Sequence, residues 1–211
     1  MRLFKRGPAT WIALAIATVL TELGLKIVPG VGTLLSQLVT PLVACGLIYG
    51  AAAADRGSAP AFGDAIRAFR APPHAIAAVV ASALVAFAAE AFAAWWIADV
   101  NLFDASTAST DLSAAAVTGI LALGILASLP VMFVVFHVLF ENVRPAPAFT
   151  ASWNAFVLNT LPLLVYSAAS MVLLGFGLAT FGLGLALALP LWAASSYAEW
   201  KDIFGIRDAP A

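Results

Sequence analysis

The chain has 211 residues, 63% of them apolar and 10% charged, with a mean hydropathy of +1.01. Soluble domains carry about 25% charged residues, so the composition excludes a water-soluble monomer and implies lipid as the solvent. The net charge of −1 supplies no basic field for nucleic acid. The single cysteine, Cys45, excludes an internal disulfide, and no Cys/His spacing suggests zinc.

The start is basic, with Arg2, Lys5 and Arg6 ahead of an apolar run, as in a secretory signal. The run continues to residue 28 and further spans follow, so it reads as an uncleaved first crossing. A membrane helix needs about 20 mostly apolar residues. Six runs meet this: 11–28, 31–54, 75–98, 114–140, 155–175 and 178–197. Pro29-Gly30 separates the first two, and residues 101–111 separate the third and fourth. The last two are divided by a Gly-rich turn around Gly175, Gly177 and Gly182, for which a re-entrant pair is the alternative.

Orientation follows from where Lys and Arg fall. Arg2, Lys5, Arg6, Arg56, Arg67, Arg70, Arg144, Lys201 and Arg207 all lie on one side of a six-span chain, leaving only Lys26 of the ten basic residues. The opposite loops carry Asp99, Asp104 and Asp111. The expectation is a single membrane domain over 1–211 in the bacterial inner membrane, multi-pass, with both ends cytoplasmic.

The six spans read as three copies of a helical hairpin. Lead-ins recur at Phe4 to Pro8, at Phe69 to Pro73 and, more loosely, at Phe156 to Pro162. The returning helices carry Pro41, Pro130 and Pro190, ahead of Asp55, Glu141 and Glu199. A proline frees a backbone carbonyl and bends a helix, which a bundle accommodates. Before span three, Phe62, Ile66 and Phe69 fall at i, i+4 and i+7, with Asp64, Arg67 and Arg70 elsewhere on the wheel. Phe149, Trp153 and Phe156 repeat the spacing before span five. Both stretches read as amphipathic helices in the inner headgroup layer, with Arg67 and Arg70 toward lipid phosphate. Trp11, Trp95, Trp96, Trp192 and Trp200 lie near predicted boundaries, as in an aromatic belt. Gly46 and Gly50 form a small-xxx-small pair suited to close helix contact.

Ionisable residues inside spans are expensive and point to function. Glu22, Gln37 and Glu90 lie about 9–12 Å in from the outer ends of their helices at about 1.5 Å rise per residue. Lys26 stands one turn above Glu22, at the i, i+4 spacing that lets side chains meet. Glu22, Lys26, Gln37 and Glu90 are therefore expected to form a polar cluster inside the bundle. Glu90 leads it, because nothing in its own Ala-rich span neutralises it. A carboxylate exchanging protons there would couple proton movement to transport; the plainer alternative is a group that only fixes helix packing. A second, inner network is expected from His137, Glu141, Asn159 and Tyr197. A structural role for that histidine is the plainer reading, and no metal spacing accompanies it.

No phosphate-binding loop, Gly-x-Ser-x-Gly elbow or His-Glu-x-x-His occurs. No catalytic residue, metal or cofactor is implied; an enzyme would have to act on lipid within the membrane.

Phe4 through Trp11, Pro41-Leu42 with Gly46-Leu47, the Phe62 to Phe69 segment and the tail Tyr197-Ala198-Glu199-Trp200-Lys201-Asp202-Ile203-Phe204 carry a resemblance. The chain resembles a family of bacterial six-span integral membrane proteins known as a domain of unknown function. It is similar more distantly, through the same hairpin plan, to the membrane portion of some bacterial glycerophosphodiesterases. The resemblance implies an all-α membrane bundle over nearly the whole chain and no assigned activity. The leading functional expectation is small-solute or ion transport, or membrane homeostasis. The competing one is a non-transporting scaffold or assembly subunit. Expected partners are membrane lipids and a membrane protein or a second copy of the chain.

Overall fold

The computed structural model describes residues 7–28, 31–103 and 112–207. Arg2, Phe4, Lys5, Arg6, the Pro29-Gly30 break, Asp104 and Asp111 lie outside the described residues. Among the described residues the secondary structure is helical, with no strand.

Helix α1 spans Pro8–Lys26 and α2 spans Gly32–Asp55. Proline suits the first turn of α1, where its missing N–H has no helical partner. A nine-residue 3₁₀ helix, η1, follows at Phe62–Arg70, then α3 at Pro73–Ala98. The predicted fourth run is not one helix. It divides into α4 (Ala114–Ser128), a 3₁₀ turn (Leu129–Val131) and α5 (Val134–Phe140). Next come α6 (Pro145–Leu158), α7 (Thr160–Ala179) and α8 (Leu185–Ile203). Chain neighbours pair: α1 with α2, α3 with α4, and α7 with α8.

Five of these segments are long and apolar enough to cross a membrane: α1, α2, α3, α4 with its 3₁₀ turn, and α7. Helix α8 has 19 residues, but its last turns carry Glu199, Lys201 and Asp202. Large apolar side chains are left exposed on these helices, among them Leu20, Leu23, Ile27, Val172 and Phe176, as suits segments apolar enough to cross a membrane.

Three predicted boundaries move for physical reasons. Span five begins at Thr160 and not at residue 155. Pro162 has no N–H for the preceding turn and biases the residue before it away from helix. The Asn159 side chain answers by donating to the Ala155 carbonyl at 2.9 Å. The turn between the last two long helices lies at residues 180–184, so Gly175 and Gly177 are helical. Thr180 closes that turn, accepting the Gly184 N–H at 2.8 Å, while Gly182 takes a φ of 83° that suits glycine. The break after Ser128 follows Pro130. Pro41 and Pro190, by contrast, stay inside continuous helices.

At the Pro130 break the backbone N–H of Phe133 donates to Ser152 Oγ of α6 at 3.2 Å. In a low-dielectric interior an unanswered amide is costly, so α6 is held to the break by one named bond. Helix α6 buries its small residues, Ala148, Ser152 and Ala155, at i, i+4 and i+7. The large Trp153 points outward.

The lead-in η1 follows the same logic with a different period. At three residues per turn, Asp64, Arg67 and Arg70 fall on one ridge rather than scattering around an α-helical wheel. Ala65 and Ala68 form the buried ridge, and Phe62, Ile66 and Phe69 remain exposed. Gly46 of α2 makes the close approach possible: a Cβ there would sit 2.7 Å from Ala65 Cα and 2.9 Å from Ala65 N. Gly50 likewise faces Pro60, with a Cβ 3.2 Å from its ring. Gly46 thus seats η1 against α2, while Gly50 meets both Pro60 and the Trp11 ring of α1.

The densest packing lies at the end of the bundle that carries the basic loops. Trp11, Phe133, Phe136, Tyr197 and Trp200 form its centre. Phe136 stacks on Trp200 with centroids 5.1 Å apart and planes 14° from parallel. Phe133 meets Phe204 edge-on at 5.6 Å. Trp11 and Trp200 are fully buried, so neither belongs to an aromatic belt. Gly50 leaves room beside α2 for the Trp11 ring. Trp95 and Trp96 do remain exposed near the far end of α3, against Phe92.

Replacing Ser152 by alanine should strand the Phe133 amide and destabilise the fold by about 1–3 kcal/mol. Reversible unfolding of the detergent-solubilised chain in graded SDS is the measurement, with Thr150→Ala on the exposed side of α6 expected to change little.

Candidate functional site

Glu90 lies two-thirds of the way along α3, where α4 crosses closely. Its carboxylate rests on the backbone of Gly124: a Cβ built at that glycine would overlap Glu90 Cγ and Oε1. Helices α3, α4, α7 and α8 line a half-open cavity of about 370 Å³ beside it. Its walls are mostly apolar, with Ile125, Met171 and Leu185 typical, and its polar lining comes from Glu90, Thr118 and Ser128. Both hydroxyls are engaged, Thr118 with the Ala114 carbonyl at 2.8 Å and Ser128 with that of Ile125 at 2.7 Å. Glu90 is therefore the cavity's one formal charge and, among the described residues, has no ion-pair partner.

Lys26 Nζ binds Glu22 Oε1 at 2.6 Å along α1. Both charges act on Glu90 electrostatically, although Lys26 bonds to its helical neighbour. Gln37 is half-buried on α2. Among the described residues no hydrogen bond joins it to Glu22, Lys26 or Glu90. Of the four residues expected to cluster, the structure thus bonds two and places Glu90 on a cavity wall.

The inner residues divide into separate contacts. His137 Nδ1 stands 2.5 Å from Glu141 Oε2, and its ring meets Phe204 edge-on at 4.5 Å. Asn159 is occupied with its own helix. Tyr197 turns elsewhere, donating its hydroxyl to Asp55 Oδ2 at 3.0 Å. Lys201 Nζ donates to the same oxygen at 2.6 Å. The Asp55–Tyr197–Lys201 tie joins the end of α2 to the end of α8 across 142 and 146 residues of sequence. Nothing local in the sequence pairs them; the one available signal is that Asp55 and Lys201 carry opposite charges on the same side. Arg67 lies over the Tyr49 ring at 4.6 Å, with Arg70 one 3₁₀ turn further on.

Cys45 is buried among the α2 contacts. Among the described residues no three His, Cys, Asp or Glu side chains gather as a metal site. Together the all-helical fold and the five helices long and apolar enough to cross a membrane fit the class of helical membrane bundles. No family model matches the chain, and neither a curated protein nor a solved structure matches it.

Glu199 lies two residues beyond the last predicted apolar run. Its Oε2 is buried with no hydrogen-bond partner among the described residues, and burial pushes its pKa up from 4.5 to about 7. The folded chain then binds this proton more tightly than the unfolded chain. Its contribution to stability is complete below pH 4.5 and is lost as pH rises through about 7. Unfolding scans across that window should show a falling midpoint for the natural chain and a flatter profile for Glu199→Gln. Equal slopes for the two proteins would contradict this assignment.

Proposed function

We propose that this chain is an inner-membrane protein with both ends cytoplasmic that takes up a small, largely apolar solute at the Glu90 cavity and moves it across the bilayer. In this reading α8 is the sixth crossing, antiparallel to α7, with Glu199, Lys201 and Asp202 at the inner headgroups. The paired helices α1/α2, α3/α4 and α7/α8 are then copies of one hairpin plan, each returning helix marked by a proline. Arg56, Arg67, Arg70, Arg144, Lys201 and Arg207 lie at the cytoplasmic face and Asp99 at the other, in keeping with the bias of basic loops toward the cytoplasm.

The carrying observation is the single carboxylate on the wall of an apolar cavity of about 370 Å³. Small-molecule sites are concave and mostly apolar, with a few polar groups fixing orientation. A carboxylate in such a place must be balanced by a proton or by a positive group on the solute. Exchange of one for the other couples proton movement to solute movement. The apolar lining selects a small amphiphilic cation over a hydrated metal ion.

The competing reading, a non-transporting scaffold, needs small-residue faces turned outward to a partner. Gly46, Gly50, Gly124 and Gly177 instead face Ala65, Pro60, Glu90 and Leu185 of the same chain. This supports a self-contained site over a docking surface.

Tetraphenylphosphonium, a compact apolar cation, is a suitable probe for the purified full chain. Binding followed by equilibrium dialysis should release protons into a weakly buffered medium. Glu90→Gln should weaken binding about tenfold or more, the loss expected for one buried charge interaction of at least about 1.4 kcal/mol, and abolish the proton release. Gly124→Leu, which fills the space against Glu90, should do the same without removing the carboxylate. Unaltered binding in both variants, each eluting as a single species, would sink the proposal.

A further inference from the structure

A second cavity, of about 440 Å³, lies at the opposite level of the bundle from Glu90, and its lining is basic. It is an open, shallow site lined by Tyr49, Gly63, Arg67, Arg70, Pro72 and Leu139. It is built where η1 folds back along α2 and where the chain turns into α3. The nine-residue 3₁₀ run is unusual in length, since such helices rarely exceed one or two turns. Its consequence is that Arg67 and Arg70 stand on one ridge with Asp64. The Asp64 carboxylate is drawn back to the start of the helix, where Oδ2 accepts the Ala61 N–H at 2.9 Å. Among the described residues neither Arg67 nor Arg70 has an ion-pair partner. Arg67 Cζ lies over the Tyr49 ring, 4.6 Å from its centre, and that ring is in turn braced edge-on by Phe140 at 5.4 Å. A guanidinium held over an aromatic face keeps N–H donors for a second partner.

We propose that this cavity is a binding site for a phosphate group carried on an anionic lipid. Two guanidiniums on one ridge match the oxygens of a phosphate, which accepts charge-assisted, often bidentate hydrogen bonds. The lipid source is argued from the neighbouring surface. Phe62, Ile66 and Phe69 stand exposed on the same short helix, where acyl chains would cover them while the headgroup meets the arginines. Free phosphate would engage the arginines and leave those apolar side chains unanswered. A net positive ridge also favours an anionic lipid over a zwitterionic one, because choline or ethanolamine would bring a positive charge to Arg67 and Arg70. This site is independent of the Glu90 cavity, and requires only that the chain lie in a bilayer.

The test uses the full chain in a non-ionic detergent, with bound lipid counted by native mass spectrometry and thermal midpoints measured in parallel. Phosphatidylglycerol, phosphatidylcholine and inorganic phosphate are added separately at equal concentration. The expected result is a retained phosphatidylglycerol adduct and a raised midpoint, with little effect of phosphatidylcholine or phosphate. Arg67→Gln combined with Arg70→Gln should weaken phosphatidylglycerol binding about tenfold or more, given the strength of charge-assisted contacts. Arg67→Lys with Arg70→Lys should give an intermediate loss, because charge remains while the planar fork is gone. Arg144→Gln, outside the cavity, should bind as the natural chain does. Phosphatidylglycerol binding unchanged in the double Gln variant overturns the site. Stabilisation by inorganic phosphate, with none by phosphatidylglycerol, overturns the lipid source.

Discussion

The bond from the Phe133 amide to Ser152 Oγ holds together the part of the molecule on which the rest is built. Proline at 130 divides what would be one long helix, and an amide released in lipid must find an acceptor within the protein. Ser152 lies on the small-residue face of α6, which lets that helix come close enough to supply it. The break redirects α5, and with it Phe133, Phe136, His137 and Phe140, toward the end of α8. There Tyr197, Trp200 and Phe204 complete an aromatic cluster in stacked and edge-on contacts of the favoured kinds. Asp55 then receives both Tyr197 and Lys201, so the ends of α2 and α8 are tied by polar bonds over the same cluster.

This arrangement makes the two ends of the bundle differ. One end is a close-packed aromatic core crossed by short lead-in helices. The other is looser, with exposed leucines, valines and phenylalanines on α1, α2 and α7 that lipid must cover. The Glu90 cavity opens in the looser half, between helices that meet through glycine and alanine. The basic cavity under η1 belongs to the dense end, where Gly46 of α2 lets η1 approach closely.

Small residues carry more of the architecture than large ones. In η1 it is Ala65 and Ala68 that are buried, and in α6 Ala148, Ser152 and Ala155. A hydrophobic-face argument transferred from soluble proteins points the wrong way here, because large apolar side chains gain nothing by leaving lipid for protein. What draws helices together is close backbone approach. For that reason Phe62, Ile66, Phe69 and Trp153, which look like the buried face of an amphipathic helix, are outside; Trp11 and Trp200, placed by sequence at a membrane boundary, are instead buried in the aromatic core.

Run length and composition alone determined the helical class, the positions of α1, α2 and α3 to within a few residues, and the presence of short helices ahead of α3 and α7. These follow from local chemistry: the number of apolar residues a crossing requires, and the positions where proline and glycine interrupt it. The Glu22–Lys26 pair was legible for the same reason, being one helical turn apart. The sequence also singled out Glu90 as a lone carboxylate in an apolar helix. Only the tertiary structure decided what Glu90 faces, because that depends on which glycine of α4 comes opposite it. The period of η1, the break at Pro130, and the meeting of Asp55 with Tyr197 and Lys201 were likewise decided there. Each depends on an approach between segments far apart in the chain, and neither composition nor periodicity carries that information.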